Sequence, residues 1–272
     1  MSGHGIKRWR WLAPTVLAGL GLYVVVAYVV LPAAWRHYER QPRLAELPMV
    51  TRTSADIPGD PLNIGLVGEQ DDIVGAMQAI GWERAEPITV RSSLGIVSSV
   101  LINRPDPRAP VSALFYDGRR EDIAFERASG RSARRRHHVR LWKALALGAE
   151  ARPVWLGSAT YDRGVGLSAD TGQVTHDIAP DIDAERDLIA QELLSADRAT
   201  SVYQVSGVGP TLSGRNGEGE RYFTDGEIKM LVLTSRGERA LVRPTRTDPP
   251  LRIKLKDRLW DSLRPVLRRW VR

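Results

Sequence analysis

The stretch from Leu12 to Leu31, LAPTVLAGLGLYVVVAYVVL, contains no charged residue over 20 consecutive positions. As an α-helix it would be about 30 Å long, which matches the hydrocarbon core of a bilayer. Trp9, Trp11 and Trp35 flank it, where amphipathic rings favour the membrane interface. A cleaved signal peptide is the competing interpretation, but its apolar region usually spans ~7–15 residues and Pro32-Ala33-Ala34 is a poor cleavage site. The sequence therefore predicts one transmembrane helix over residues 12–31.

Basic residues flank both ends of this stretch, so they set its orientation only by a small margin. Lys7, Arg8 and Arg10 precede it, while the arginines that follow are diluted by Glu39. Because the more basic flank stays inside, we expect a single pass of the cell membrane, with the bulk of the chain on the outer, periplasmic side.

Composition divides the chain into five segments. They are a short basic N-terminal segment (1–11), the transmembrane helix (12–31), a linker rich in Pro and Arg (32–60), a folded domain (61–248) and a basic amphipathic C-terminal helix (249–272). We expect the linker to hold the folded domain off the membrane.

Hydrophobic patterning within 61–248 predicts many strands and few helices. We expect an α+β fold with a mixed or mostly antiparallel sheet. The Asp117-Gly118 pair predicts a hairpin turn between the strand at 114–116 and the strand at 123–125. The other predicted strands are 62–67, 88–90, 96–102, 154–161, 173–178, 202–208 and 228–234, and the predicted helices are 69–82 and 183–195.

The C-terminal segment carries most of the excess positive charge. Residues 251–272 contain eight Lys or Arg against Asp257 and Asp261, so the folded domain itself lacks the basic surface that a nucleic-acid-binding protein needs. Apolar residues recur there at helical spacing. Such a helix can lie on an anionic lipid surface or dock on the domain, and the sequence favours neither. Membrane lipids are the expected partner, with other membrane proteins as a further candidate.

Several common sites are absent from the sequence. IGLVGEQDDIVGAM lacks the GxGxxG pattern, and Glu69, Asp71 and Asp72 would repel a pyrophosphate, so they fit a stabilised helix N-terminus better. There is no P-loop, no GxSxG and no HExxH. Cysteine is absent, which excludes disulfides and thiolate catalysis. The sequence indicates no particular cofactor.

The segment RRRHHVRLW, residues 134–142, concentrates arginine and histidine. On a strand its side chains alternate between two faces, so His137 shares a face with Val139 and Leu141 and points toward the core. His138 then shares the other face with Arg136 and Arg140 and points toward solvent. Adjacent histidines on opposite faces do not bind one metal ion together.

Two further segments carry candidate groups. His176 and Asp177 precede a series of carboxylates at Asp181, Asp183, Glu185 and Asp187, which either bind a metal or assist proton transfer, or simply cap the helix that begins there. Helix capping is the favoured interpretation for the last three. The segment from Tyr161 to Gly166 ends the preceding strand in a glycine-containing loop. We expect Asp162 and Arg163 to lie near His176.

The blocks from Pro61 to Trp82, Ala109 to Arg127, Arg134 to Trp142, Val154 to Ser168 and Thr171 to Asp187 together resemble the LssY C-terminal domain family of bacterial proteins. The resemblance covers residues 60–245 and implies a membrane context, since family members are often fused to modules resembling DedA-type proteins or PAP2-type lipid phosphatases. This chain has one span and lacks the PAP2 active-site motifs in their order. Phosphatase activity is therefore not implied.

Three functions stay open. The favoured hypothesis is a membrane-anchored accessory or sensing domain of the bacterial envelope that binds an anionic, phosphate-bearing ligand, such as a lipid head group, because guanidinium groups fit phosphate oxygens. The alternatives are a metal-dependent or histidine-based phosphoester hydrolase and a purely structural envelope protein. The predicted ligand-binding residues are Arg135, Arg136, His137, Arg140, Tyr161 and Arg163. The predicted catalytic residues are His138, Asp162, His176 and Asp177.

Overall fold

The computed structural model of the protein describes residues 5–85, 114–130, 132–167, 174–208, 213–217 and 219–271. The predicted strands at 88–90 and 96–102 lie outside these residues. At the N-terminus, helix α1 (Gly5–Val25) continues through a π-helical stretch (Val26–Val30) into α2 (Leu31–Trp35). Residues 12–33 form one apolar helix of 22 residues, which is long enough to cross a membrane as an anchor or to serve as a signal sequence.

A large mixed sheet forms the centre of the domain. In spatial order its strands are β15 (Thr245–Arg246), β11 (Ala199–Ser206), β14 (Glu227–Leu233), β3 (Ile64–Val67), β9 (Val154–Leu167), β8 (Ser132–Leu145), β7 (Ile123–Ser129) and β4 (Glu83–Arg84). Strand β10 (Val174–Ile178) also pairs with β9, and most neighbours are antiparallel. The predicted α+β class is therefore confirmed.

Helices cover one face of the large sheet. Helix α3 (Gln70–Ala79) and helix α4 (Ile182–Ser195) bury their apolar residues against Val139, Leu141 and Trp155 of the strands. Glu69 and Asp72 form a reciprocal capping box at the start of α3, so the carboxylates predicted to stabilise this helix end do so.

A small sheet covers the opposite face. Its strands are β2 (Pro58–Pro61), β1 (Val50–Thr53), β5 (Leu114–Tyr116) and β6 (Arg119–Arg120), in that order. Leu114, Tyr116 and Leu44 pack against Trp142 and Leu156 of the large sheet. A separate hairpin joins β12 (Ser213–Arg215) to β13 (Arg221–Phe223), between β11 and β14 of the large sheet.

The linker expected over residues 32–60 is packed against the domain instead. Leu44 and Thr51 are fully buried, and β1 and β2 lie within this segment. Ser206 also donates hydrogen bonds to the carbonyl oxygens of Trp35 and His37, through its hydroxyl and its backbone N–H. The prediction of a linker that holds the domain off the membrane is therefore wrong. The segment is rich in Pro and Arg, and its isolated apolar residues give no periodic pattern, but the large sheet buries them.

Two other sequence predictions need correction. The turn at Asp117-Gly118 is present, with both residues in the left-handed region at φ of 49° and 73°, but it joins β5 to β6. The strand at Ile123 belongs to the large sheet and pairs with β8. The segment from Tyr161 to Gly166 is not a loop, because β9 continues through it and pairs with β10.

The C-terminal segment forms one long helix, α5 (Leu251–Trp270). It docks on the domain by burying Ile253 and Trp260, and the Trp260 ring lies 6.1 Å from the ring of Phe223. Pro265 lies inside this helix without ending it.

We predict that Leu44→Ala lowers the free energy of unfolding by about 2–5 kcal/mol, because it leaves a cavity between residues 36–49 and the large sheet. Glu46→Ala on the same short helical turn is the matched control, since its side chain is exposed. Urea unfolding of the full chain in detergent, followed by tryptophan fluorescence, measures both. Equal stabilities for the two variants would contradict the packing of this segment.

Candidate functional site

Strand β8 places its arginine-rich face inside the protein. Arg136, His138 and Arg140 are all buried on the side of the large sheet that the small sheet covers. His138 Nε2 lies 2.9 Å from Asp162 Oδ2 on the neighbouring strand, and Arg136 lies 3.3 Å from Glu126. The expectation that His138 and these arginines face solvent is therefore wrong.

Acidic groups inside this face balance the cations. Asp60 of β2 lies 3.9 Å from Arg140 and accepts a hydrogen bond from Asn216. Burial raises the pKa of Asp60, and the Arg140 guanidinium opposes that shift. Burial likewise raises the pKa of Glu126 against the opposing charge of Arg136. Arg136 and Arg140 are thus engaged within the fold.

The other face of β8 carries His137 to the edge of the helix-covered side. His137 shares this face with Val139 and Leu141, as the strand alternation predicts, and both of those residues are in the core. Its Nδ1 atom lies 3.0 Å from both carboxylate oxygens of Glu185 on α4. Burial raises the pKa of Glu185, and its hydrogen bond with His137 opposes this. The contact occupies Nδ1 and leaves Nε2 as the ring nitrogen for a ligand.

An open cavity of about 580 Å³ lies beside His137, between the first half of β8, the second half of β9, the start of α4 and the end of α5. Its apolar lining consists of Ala179, Pro180, Ala184, Leu188, Phe223 and Val271. Its polar lining consists of Ser129, His137, Tyr161, Arg163, Asp181, Glu185 and Arg268. The cavity volume is in the range of small-molecule sites.

Hydrogen bonds hold the polar side of this cavity in place. The Tyr161 hydroxyl donates to Ser129 Oγ over 3.1 Å, and the Tyr161 ring lies 4.8 Å from the His137 ring. Arg163 donates to Asp177 over 2.7 Å, and both side chains are close to half exposed. Arg268 of α5 donates to Asp181. Each guanidinium has five N–H donors, so these contacts leave donors for a ligand.

The predicted site residues are therefore divided between different places. His137, Tyr161 and Arg163 line one cavity, whereas Arg136, Arg140, His138 and Asp162 lie on the opposite face of the sheet. Arg135 is exposed and does not line the cavity. Asp177 reaches the cavity only through Arg163. The backbone of His176 pairs with Val165, and its side chain lies outside the described part of the structure.

Three cavity residues were missed by the sequence interpretation. Glu185 was assigned to helix stabilisation, and its contact with His137, 48 residues away in sequence, depends on the packing of α4 on the sheet. Ser129 and Arg268 had no motif to indicate them. Their positions depend on the pairing of β7 with β8 and on the docking of α5, which are both long-range contacts. Within the described ranges, no group of three or more His, Asp and Glu side chains is arranged to hold a metal ion.

Ion pairs beneath α5 position the cavity wall. Arg264 donates to both Asp181 and Asp187, and Lys256 contacts Glu227 inside the protein. Burial opposes ionisation of Asp187, but the neighbouring cations hold its pKa well below the ordinary value. Burial raises the pKa of Glu227 to about 7, against the opposing charge of Lys256.

Asp183 anchors the same region from α4. Its carboxylate accepts hydrogen bonds from the Thr224 hydroxyl at 2.7 Å and from the Asp225 backbone N–H at 2.8 Å. Burial raises the pKa of Asp183 to about 7. Arg186 donates to Asp225 and to the Glu227 carbonyl oxygen. The acidic series therefore does more than stabilise a helix end, because it joins α4 to the turn before β14.

Comparison with protein families gives one result. The family described as LssY C-terminus matches residues 44–228, about two thirds of the chain. Comparisons with curated proteins and with solved structures give no match. The matched range begins inside the segment that the sequence interpretation had assigned to a linker.

We predict that Arg136→Ala and Arg135→Ala differ sharply although the residues are adjacent. Arg136→Ala should lower the free energy of unfolding by roughly 3 kcal/mol, because it leaves Glu126 buried without this partner. Arg135→Ala should change it by less than about 0.5 kcal/mol, since its side chain is exposed. Urea denaturation of each variant measures this difference. Similar losses of unfolding free energy in the two variants would contradict the placement of Arg135 and Arg136 on opposite faces of β8, one exposed and one buried.

We predict a pH-dependent stability contribution from Glu227. Its pKa is about 7 in the folded protein against an ordinary value of 4.5, so the folded state binds more protons between these pH values. The contribution is complete below about pH 4.5 and is lost as the pH rises through about 7, up to roughly 3 kcal/mol. Glu227→Gln cannot ionise and should lack this decline.

Unfolding of the full chain across pH 4.5–8 measures this contribution as the difference between the protein and Glu227→Gln. Glu238→Gln is the control, because Glu238 is exposed. Parallel stability profiles for the protein and Glu227→Gln would show that Glu227 ionises as freely as in the unfolded chain.

Proposed function

This chain belongs to the LssY C-terminus family, and on that premise we propose that it is a membrane-anchored accessory or sensing domain of the bacterial envelope whose cavity binds the head of an anionic amphiphile. The ligand class is a phosphate-bearing head group attached to an apolar chain. The observation that carries the proposal is the cavity itself, in which His137, Tyr161, Arg163 and Arg268 adjoin an apolar floor.

The apolar helix at residues 12–33 supports anchoring. The rest of the described structure does not bury its residues. The helix is followed directly by a contact with the domain, in which the carbonyl oxygens of Trp35 and His37 accept hydrogen bonds from Ser206. In this proposal the helix remains attached, the N-terminus lies inside the cell and the domain lies outside. The basic residues Lys7, Arg8 and Arg10 support that orientation.

The chemistry of the cavity supports an anionic head group. Arg163 lines the cavity from β9, and Arg268 lines it from α5. Each guanidinium donates to one carboxylate, Asp177 or Asp181, and has further N–H groups that can donate to a ligand. Guanidinium groups bind phosphate oxygens through paired, charge-assisted hydrogen bonds. The hydroxyl of Ser129, whose oxygen accepts from Tyr161, adds a hydrogen-bond donor for a phosphate oxygen. The apolar lining supports an attached chain, because a free anion gains nothing from Leu188 and Phe223.

A second candidate function, histidine-based phosphoester hydrolysis, is favoured by one contact. The Glu185 carboxylate fixes the tautomer of His137 by accepting from Nδ1–H, which leaves Nε2 as a proton acceptor. Two of the residues predicted to be catalytic, His138 and Asp162, are less suited to this role, because both side chains are buried on the other face. Binding requires only the donors, whereas hydrolysis also requires a nucleophile beside His137.

We predict that the full chain, in nanodiscs of zwitterionic lipid, binds hexyl phosphate at least tenfold more tightly than inorganic phosphate or hexanol. The phosphate contacts both arginines and the hexyl chain covers the apolar floor, so neither fragment gains the whole interaction. Isothermal titration calorimetry measures the three affinities. The double variant Arg163→Ala, Arg268→Ala should weaken binding of hexyl phosphate at least tenfold.

Arg135→Ala is the matched control, since it removes an exposed arginine from outside the cavity. Equal affinity of the double variant and the control would contradict this site. No binding of any of the three probes would favour a purely structural protein. Release of hexanol from hexyl phosphate, abolished by His137→Ala and retained in Arg135→Ala, would establish the hydrolase.

A further inference from the structure

Helix α5 has one docked face and one exposed apolar face. The docked face carries Ile253 and Trp260, both buried, together with the ion pairs of Lys256 and Arg264. The adjacent face, centred about 120° around the helix, carries Leu251, Leu255, Leu259, Leu263, Val266 and Trp270, which we call the apolar stripe. At 100° per residue these six positions lie within about 120° of arc, rotated away from the docked face.

The apolar stripe is exposed along the whole helix. Leu255 is 55% exposed, Leu259 61% and Trp270 83%. A continuous row of large apolar side chains over about 30 Å is more than a monomeric soluble surface ordinarily presents. Docking on the domain therefore covers only one side of α5, and it does not explain the exposed apolar stripe, which needs a different binding partner.

The start of α5 lies where the apolar N-terminal helix ends. Lys256 Nζ lies 4.7 Å from the centre of the Trp35 ring, and Arg252 donates to the carbonyl oxygen of Arg36 over 3.2 Å. If residues 12–33 cross a bilayer, Trp35 lies at its surface. The first turns of α5 are then held at the level of the lipid head groups.

The charges around the stripe complement an anionic lipid surface. Arg258 and Arg269 are exposed on one border of the stripe, and residues 251–272 contain eight basic residues against two acidic ones. Exposed Trp270 lies near the end of the stripe, where an indole ring favours the interface. A second protein copy would not benefit from this charge, because the chain as a whole is also basic, with a net charge of +7.

We infer that α5 is an interfacial membrane helix whose apolar stripe is inserted among anionic lipid head groups. It forms a second membrane contact of the domain, in addition to the transmembrane anchor. The inference stands apart from the proposed ligand, because it depends on the stripe and on Trp35 and not on the cavity.

The absence of cysteine allows a direct test by site-directed spin labelling of the full chain. Single labels are placed on the stripe, at Leu255→Cys, Leu259→Cys and Val266→Cys, and on the opposite exposed side, at Asp261→Cys. The chain is reconstituted in vesicles of three parts phosphatidylcholine to one part phosphatidylglycerol. Power-saturation EPR compares collisions with oxygen, which concentrates in lipid, and with a water-soluble nickel chelate.

Stripe labels should collide several-fold more often with oxygen than with the nickel chelate, and the Asp261 label should show the reverse. Equal accessibility of stripe and Asp261 labels to the chelate would overturn the inference. Stripe labels shielded from both reagents and broadened by a neighbouring spin would show a second copy as the occupant, and this would also overturn it. Because the labelled side chains are exposed, misfolding is not expected, and circular dichroism checks it.

Discussion

The antiparallel pairing of β8 with β9, in a sheet covered on both faces, constrains where this protein can hold its polar side chains. On an exposed sheet, one face of RRRHHVRLW would be solvated. Here Arg136, His138 and Arg140 are buried, so each must lie near an acidic or polar group within the fold. The same alternation carries His137 to the other face, where α4 supplies Glu185. One strand thus contributes both a buried ionic layer and one side of an open cavity.

Docking of α5 joins the membrane-proximal part of the chain to that cavity. Its first turns contact Trp35, its middle pairs with Glu227 through Lys256, and its last turn brings Arg268 to the cavity. A change at one end of this helix is therefore expected to affect the other. The buried ion pairs favour one position of α5 on the domain, because a shifted helix would leave charges buried without partners.

Local sequence signals predicted much of the fold. Apolar runs predicted β3 and β14 close to their observed bounds, because burial is nearly continuous along these two strands. The packing of residues 36–61 was missed, since single buried positions such as Leu44 produce no periodicity. His137, Tyr161 and Arg163 were predicted to belong to one ligand site, and they line one cavity. The predicted orientation of His138 toward solvent was wrong, because no local sequence pattern indicates which face of the sheet is covered by other parts of the chain. The position of Arg268 at the cavity depends on its contact with Asp181, 87 residues away in sequence, which no local pattern predicts.

In the function proposed for this protein, the cavity beside His137 holds an amphiphile with a phosphate head. Photo-crosslinking tests it most directly, with the full chain in nanodiscs that contain phosphatidylglycerol bearing a diazirine near the head group. After irradiation and proteolysis, mass spectrometry locates the adducts. We expect adducts within residues 179–188, at the cavity wall formed by the start of α4, in addition to those on the apolar helix at 12–33. Adducts confined to residues 12–33 and to the apolar stripe of α5, with none at residues 179–188 and none at Arg268, would contradict this proposal, since they would show lipid around the anchor and the exposed helix face and none in the cavity.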